Sequence, residues 1–503
     1  MKKHEKNVSV AVNGRVCYVQ PGSKLSSVLN IDFPCGGHGK CGKCKVKATG
    51  MLSEISESET EHLTEEELKN GIRLACKTII LGDCHVQTLE KSSTDSKILA
   101  DGTMSDFTLN PAFSSYGAAI DIGTTTIAAS LYNTSGTILA QSSMLNPQSV
   151  FGADVVSRIE AALKGENNAL AQSIAKALDE TICDLAKKAS IKPDEIDSVA
   201  VTGNTVMLYL LTNTSTEPLS HAPFITQELF GKEFTAQSIG LTAVKANTEV
   251  YLPNCISAFV GADTVCALIA TGMCDKNETR LLADIGTNGE IAIWHNGELT
   301  VASTAAGPAF EGVGISMGMR GETGAIDSVS LENGEFKTHV IGDCEPSGIC
   351  GSGLIDAIAC MLETEVLDET GYLEDESVTI AEPVCITDKD VRMVQLAKGA
   401  IHAGINTVIK SCGISFSDIS CLYIAGGFGS YLNMESAARI GLIPKELAKK
   451  VNVAGNAALS GACMLLLNRD LRKTAKQIAS HAKVLELSSN PLFTDEYMEQ
   501  MMF

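Results

Sequence analysis

The sequence has no apolar run approaching the ~18 residues that a membrane span needs. Its opening, Met1-Lys2-Lys3-His4-Glu5-Lys6, leads into no signal-peptide core. The expectation is a cytoplasmic chain with no membrane partner. Basic residues are scarce: 39 Lys and Arg stand against 60 Asp and Glu, a formal net charge of −21. A nucleic-acid binder needs a basic face to neutralise phosphates, so this balance excludes a general nucleic-acid partner. One Trp and 13 Pro in 503 residues mark no disordered or low-complexity tract. No Walker-type phosphate loop occurs, and no G-x-G-x-x-G fingerprint stands between a strand and a helix. Any nucleotide site must be of another kind. At about 150 residues per domain, the length suggests two to four domains.

Cysteine is abundant. There are 17, an odd number, as expected where thiols stay reduced or bind metal. Most are scattered through apolar segments, such as Cys183, Cys266, Cys360 and Cys463, and read as small buried hydrophobes. Cys35, Cys41 and Cys44 are crowded as C-x5-C-x2-C in Phe33-Pro-Cys-Gly-Gly-His-Gly-Lys-Cys-Gly-Lys-Cys-Lys, and Cys76 follows in Arg73-Leu-Ala-Cys-Lys. Four thiolates can ligate a two-iron, two-sulfur cluster, two to each iron. Glycines between the ligands let the backbone wrap it. Residues 7–19 read as two strands joined at Asn13-Gly14, a hairpin signal, and residues 22–30 as a helix. Cys17 and Cys84 read as strand or core residues. A zinc site is the competing reading, but zinc ribbons show two tight C-x2-C halves and only one is present.

Lys40, Lys43, Lys45 and Lys47 crowd the cluster loop and offset its negative charge. Between the third and fourth cysteines lie Glu54, Glu57, Glu59, Glu61, Glu65, Glu66 and Glu67. They read first as a solvated helix face, and second as a docking surface for a basic redox partner. Residues 1–90 are expected to form one cluster-binding domain, and the Ser-rich segment 91–115 a flexible connection.

From Tyr116 the pattern changes. Ala118-Ala-Ile-Asp-Ile-Gly-Thr-Thr-Thr-Ile-Ala is a buried strand, a turn and a second strand, and Leu281-Leu-Ala-Asp-Ile-Gly-Thr-Asn-Gly-Glu-Ile-Ala-Ile repeats the design. The repeat suggests two duplicated lobes, over 116–280 and 281–503. Gly123 and Gly286 make tight turns whose N–H groups can grip phosphate. Thr124, Thr125, Thr126, Thr287 and Asn288 add side-chain donors. Asp121 and Asp284, at strand ends facing one cleft, are candidates to hold hydrated magnesium and orient an attacking water. A third element, Cys421-Leu-Tyr-Ile-Ala-Gly-Gly-Phe-Gly-Ser-Tyr, is a strand ending in Gly426, Gly427 and Gly429. Other cleft-lining stretches are Thr202-Gly-Asn-Thr205, a segment carrying Asp263, Ala306-Gly-Pro-Ala-Phe-Glu-Gly312 with Glu311, a segment with Arg320, and Gly348-Ile-Cys-Gly-Ser-Gly-Leu354.

These three motifs, in this order, resemble the phosphate and adenosine motifs of the actin, sugar-kinase and heat-shock-chaperone superfamily. The N-terminal segment resembles a 2Fe-2S ferredoxin domain with the longer loop spacing. The implied fold is an α+β ferredoxin (β-grasp) domain followed by a two-lobed α/β actin-like ATPase, a duplicated ribonuclease H-like unit with its adenosine motif in the second lobe. Further wording, Asn146-Pro-Gln-Ser-Val-Phe-Gly-Ala-Asp-Val-Val-Ser-Arg158 and Gly455-Asn-Ala-Ala-Leu-Ser-Gly461, resembles the reductive activators of corrinoid-dependent methyltransferases and corrinoid iron–sulfur proteins. That resemblance implies an ATP-dependent enzyme that passes one electron from its cluster to cobalt(II) of a corrinoid protein, giving cobalt(I). It implies a 2Fe-2S cluster, ATP and Mg2+ as cofactors, and an electron donor that is a ferredoxin, flavoprotein or reductase. It also implies a homodimer through the ATPase. Longer family members insert a further domain after the linker, and relatives from methylamine-using methanogens add C-terminal cysteine sets. Here only Cys463 follows Cys421.

Three alternatives remain on the sequence alone. One is an ATP-dependent kinase with a redox-sensing cluster, for which no sugar or acid pocket is recognisable. The second is an electron carrier fused to a nucleotide-responsive scaffold. The third is an activator of the 2-hydroxyacyl-CoA dehydratase type, whose four-iron cluster does not suit this cysteine spacing.

Overall fold

In a computed structural model, the structure describes residues 7–29, 42–89, 102–427 and 432–503, with Ile31, Phe33, Gly37 and Gly39. The N-terminal unit is a five-stranded mixed sheet of order β2-β1-β5-β3-β4. Its strands are β1 (Val8–Val12), β2 (Arg15–Val19), β3 (Lys45–Leu52), β4 (Ile72–Leu74) and β5 (Ile80–Thr88). Asn13 and Gly14 take φ of 46° and 83°, the positive pair that a tight hairpin matched to strand twist requires. Strand β5 alternates buried and exposed residues, so one sheet face covers a core of Val10, Leu25, Phe33, Val46, Leu74 and Ile80. The helix expected over 22–30 is only one 3-10 turn, Leu25–Val28. Ser23 and Ser27 donate their hydroxyls to the carbonyls of Gln20 and Lys24, offering the backbone an alternative to a longer helix.

The acidic run forms two short helices, α1 (Glu57–His62) and α2 (Glu65–Lys69), each opened by a capping box. It is not a uniformly solvated face. Glu59 is 0% exposed and pairs with Arg73 at 2.7 Å.

The connection read over 91–115 is held down along its C-terminal part. Thr103 N–H donates to Ala454 O, Asn110 N–H to Leu467 O, and Ser114 and Ser115 donate to Asp197. Phe113 is buried.

The first lobe is a six-stranded sheet of order β10-β11-β9-β6-β7-β8. Its strands are β6 (Tyr116–Ile122), β7 (Thr126–Asn133), β8 (Ile138–Leu145), β9 (Ile196–Gly203), β10 (Phe230–Thr235) and β11 (Glu249–Asn254). β6, β7 and β8 form an antiparallel meander, and β9 and β11 extend it in parallel on the other side of β6. Helices α3 (Val155–Ala161), α4 (Asn167–Lys188), α5 (Thr205–Leu211) and α6 (Ala262–Thr271) complete it. β6 is an almost unbroken apolar run, as a strand covered on both faces must be.

The second lobe repeats the plan: β12 (Thr279–Ile285), β13 (Gly289–His295) and β14 (Glu298–Thr304) are antiparallel neighbours. A three-stranded sheet of β15 (Ala325–Glu332), β16 (Glu335–Val340) and β17 (Gly348–Ile349) is inserted before helix α7 (Gly351–Glu363). The hairpin β18 (Ser377–Ala381) and β19 (Val384–Thr387) leads into α8 (Asp388–Ser411). Then β20 (Ile419–Ala425), α9 (Met434–Arg439), β21 (Val451–Gly455), α10 (Ala457–Leu467), α11 (Leu471–His481), β22 (Lys483–Val484) and α12 (Pro491–Glu499) close the chain. β20 and β21 lie parallel beside β12. The same three-antiparallel, two-parallel order in both lobes is the duplicated ribonuclease H-like arrangement. Helices α6 and α10 pack between the two sheets in one apolar core with Ala119 and Ala200 of the first lobe and Leu282 and Ala425 of the second.

Most scattered cysteines are buried as expected, Cys266, Cys360 and Cys463 among them. Cys183 is the exception: it is exposed on α4. Among the described residues, no helix is long and apolar enough to cross a membrane.

Candidate active site and cluster site

Each lobe sends the hairpin between its first two strands to the mouth of one cleft. In the first lobe, Gly123 N–H donates to Thr126 O, closing the turn. Asn146 clamps it, its side-chain amide donating to Gly123 O at 2.8 Å and its backbone N–H to Thr125 O. Arg158 is fully buried and donates to Thr124 O and to Gly152 O. Burial lowers its pKa to about 9. The Thr124 hydroxyl accepts from the Asn204 amide at 3.3 Å. In the second lobe, Gly286 N–H donates to Asn288 O. Glu311 joins the two hairpins: one carboxylate oxygen accepts from the Thr125 hydroxyl at 2.6 Å, the other from the Thr287 hydroxyl at 2.8 Å.

Behind the hairpins lies a set of carboxylates. Asp121 and Asp284 occupy the same position on β6 and β12, two residues before their glycines. Burial, with the charges of Asp263 and Asp284, raises the Asp121 carboxyl to about 8, although Asn456 donates to it at 3.3 Å. Burial, then the charge of Asp263, raises Asp284 to about 7. Burial also raises Asp263 and Glu290. Acidic groups held this way favour a cation among them. Among the described residues, no three His, Cys, Asp or Glu side chains converge closely enough to ligate an ion directly.

The glycines that end β20 meet this group. Gly426 has φ +98°, and a Cβ there would lie 2.5 Å from Ile285 O and 2.9 Å from the Asp284 carboxylate. Only glycine lets β20 end this close to β12. Among the described residues, a Cβ on Gly427 would meet nothing within 4 Å. Gly429 lies outside the described residues.

Asp121, Asp284, Gly123, Thr124, Thr125, Thr126, Gly286, Thr287, Asn288, Gly426 and Gly427 are thus carried to one cleft by three strand ends. The sequence marked Glu311 and Asp263 as cleft-lining without giving them a role, and it did not single out Glu290 and Asn456. Glu311 and Asp263 stand in glycine-rich stretches that mark the cleft. Glu290 and Asn456 are ordinary polar residues after Gly289 and Gly455, and only strand pairing reveals where they point.

In the N-terminal unit, Cys44 and Cys76 are buried and their sulfurs lie 3.3 Å apart. Cys35 and Cys41 lie outside the described residues. Gly42 has φ +65°, and a Cβ there would lie 2.9 Å from the His62 side chain. Two soft sulfur donors converging in a buried loop fit an iron–sulfur cluster. Glu59 builds the loop that carries Cys76: it accepts from Arg73, from Leu74 N–H and from the Thr78 hydroxyl.

Comparison with known proteins agrees with this architecture. A family model described as a 2Fe-2S iron-sulfur cluster binding domain matches residues 10–81. The model for the RACo middle region matches 116–276, and that for the C-terminal domain of RACo, the ASKHA domain, matches 278–503. The corrinoid activation enzyme RamQ of Eubacterium limosum is 37% identical over 419 residues, covering 77% of this chain and 70% of that protein. A [Co(II) methylated amine-specific corrinoid protein] reductase of Methanosarcina barkeri is 29% identical over 425 residues, covering 77% of both. A solved reductive activator for corrinoid, iron-sulfur protein superposes with a TM-score of 0.73 at 26% identity, covering 99% of this chain and 98% of that one. With a cluster-binding domain ahead of two lobes that share a carboxylate-lined cleft, and relatives alike over most of its length, the chain belongs to the family of reductive activators of corrinoid proteins.

Proposed function

We propose that the chain is an ATP-dependent enzyme that returns the cobalt(II) of an inactivated corrinoid methyl carrier to cobalt(I). The observation that carries the reading is the pairing of a cluster-type thiolate loop with a two-lobed cleft whose hairpins and carboxylates suit a magnesium nucleotide. Cys35, Cys41, Cys44 and Cys76 would hold a 2Fe-2S cluster, which when bound supplies a one-electron store. Asp121 and Asp284 would position hydrated Mg2+, and the turns at Gly123–Thr126 and Gly286–Asn288 would grip the nucleotide phosphates. Gly426, Gly427 and Gly429 would admit the adenosine. A nucleotide is physically sensible in such a reaction. Ferredoxin-type potentials lie near about −400 mV, and each 100 mV uphill costs about 2.3 kcal/mol per electron. Movement of the lobes supplies a conformational step that can favour the reduced product.

The reading includes an external electron donor, a ferredoxin, flavoprotein or reductase, and a homodimer through the ATPase lobes. It treats 1–90, 91–115, 116–280 and 281–503 as cluster domain, linker and two lobes. The test is anaerobic. Reduced protein is mixed with a cobalt(II) corrinoid methyl carrier, and the cobalt(I) absorption band is followed with and without Mg-ATP. A rise that needs ATP is the expected result. No rise with several carriers, while ATP is still hydrolysed, would overturn the reading in favour of a kinase with a redox-sensing cluster.

A further inference from the structure

The cluster loop does not stand clear of the ATPase. Lys43, between cluster ligands Cys41 and Cys44, donates from Nζ to Ile315 O and Gly318 O of the second lobe, both at 3.0 Å. On the other side of the cleft, Val150 of the first lobe packs against the apolar core of the cluster domain. A Cβ on Gly37 would lie 3.6 Å from Val150 O. Gly37 and Lys43 thus each touch a segment of a different lobe.

Both segments are tied to a phosphate-binding hairpin. In the first lobe, the turn that carries Val150 starts at Asn146, which holds Gly123 O and Thr125 O. It is followed by Gly152, whose carbonyl shares Arg158 with Thr124. In the second lobe, Gly307 N–H donates to Thr287 O, and Glu311 holds the Thr287 and Thr125 hydroxyls. From Glu311 the chain closes on itself, since a Cβ on Gly318 would lie only 2.3 Å from Gly312 O. A loop packed that tightly moves as a body, so displacement at Glu311 reaches Ile315 and Gly318.

We propose that residues 147–152 and 312–318 form a docking surface for the chain's own cluster domain, latched by Lys43, and that a nucleotide in the cleft loosens it. The Thr125 and Thr287 hydroxyls are the donors a nucleotide's phosphates would use, and Glu311 now occupies them. Phosphate and carboxylate are both anions and cannot share those donors, so nucleotide binding displaces Glu311 and the loop behind it. The cluster domain is held while Glu311 keeps the two hydroxyls and is released when phosphates take them. The coupling half of this inference rests on the nucleotide reading of the cleft. The docking half does not, and neither half depends on a corrinoid client.

The test uses the full, cluster-loaded chain and hydrogen–deuterium exchange of peptides spanning 312–320 and 42–52. The probe is Mg2+ with a non-hydrolysable ATP analogue, its binding followed separately by calorimetry. In the unaltered chain the analogue should lower protection of both peptides by about tenfold, within the ordinary range of site-to-site coupling. Lys43→Met and Val150→Glu attack the dock from opposite sides. Each should show the lowered protection without nucleotide, with its visible cluster spectrum unchanged and, because the coupling is reciprocal, its analogue affinity raised by up to about tenfold. Unchanged protection in both variants, spectra intact, would overturn the dock. Unchanged protection in the parent chain while calorimetry shows binding would overturn the coupling. Absence of binding would instead overturn the nucleotide reading, with the coupling, and leave the dock to be decided by the two variants.

Discussion

Glu59→Gln is the most informative single change in the cluster domain. Glu59 has no solvent exposure, and its carboxylate serves Arg73 Nε at 2.7 Å, Leu74 N–H at 3.1 Å, the Thr78 hydroxyl at 3.1 Å and Ser56 N–H at 2.9 Å. Burial alone would raise its pKa, but the hydrogen bonds from Arg73, Ser56 and Leu74 outweigh it and lower the value from 4.5 to about 2. At 1.36 kcal/mol per pH unit, that difference is worth about 3 kcal/mol to the folded domain. Because the folded value is depressed, the stabilisation is fully present above pH 4.5 and is lost as pH falls toward 2. Gln keeps the shape but strands the Arg73 guanidinium, a loss of about 3–5 kcal/mol for a broken buried pair. Native-state hydrogen exchange on the full chain isolates this region: amides of residues 74–78 should lose protection by about a hundredfold at pH 7. The gap between variant and parent should narrow as the pH is taken from 5 to 3, once intrinsic exchange rates are allowed for. Protection within about threefold of the parent at pH 7 would refute the electrostatic account.

Other expectations follow from the two sites. Cys41→Ala or Cys44→Ala should abolish the visible spectrum and electron transfer while leaving nucleotide binding intact by calorimetry. Asp284→Ala should do the reverse, retaining the spectrum and losing ATP-dependent cobalt reduction. Gly426→Ala forces a methyl to 2.9 Å from the Asp284 carboxylate at a φ of +98°, and strain of about 1–3 kcal/mol should weaken nucleotide affinity by tenfold or more with the cluster spectrum unchanged. Arg472→Ala removes ion pairs to Glu233 and Glu249 that tie α11 to β10 and β11. It should lower the thermal midpoint without altering either site, as read by calorimetry.

The legible parts of the sequence were those where chemistry demands particular residues at fixed spacing. The repeated Asp-Ile-Gly-Thr turns, the glycines after β20 and the cysteine run are of that kind, and the first two come together in the cleft. What local reading could not reach was decided by tertiary contact. Glu59 looks like its solvated neighbours, and only its position opposite Arg73 buries it. Cys183 sits in an amphipathic helix, yet its side chain points outward. Residues 102–115 have the composition of a tether, but their backbone groups find partners on both lobes. Glu311 was visible as a cleft residue, whereas its bridge between two hairpins needs both lobes in place. The helix expected over 22–30 failed because serine hydroxyls compete locally for the carbonyls a helix would use.

The contact between α6 and α10 bears on how the molecule can move. Gly461 approaches so closely that a Cβ there would lie 1.9 Å from Cys266 O, and the neighbouring positions are mostly small: Ala457, Ala458, Ser460 and Ala462. A crossing lined by small residues puts few side chains in the way of one helix turning on the other. Rotation about it costs little apolar contact near the axis, while displacement grows with distance from it, so the rim of the cleft travels furthest for a given turn. Lys43 holds its two carbonyls at 3.0 Å, so a shift of about 1 Å between the cluster domain and the second lobe is enough to take both beyond hydrogen-bond reach.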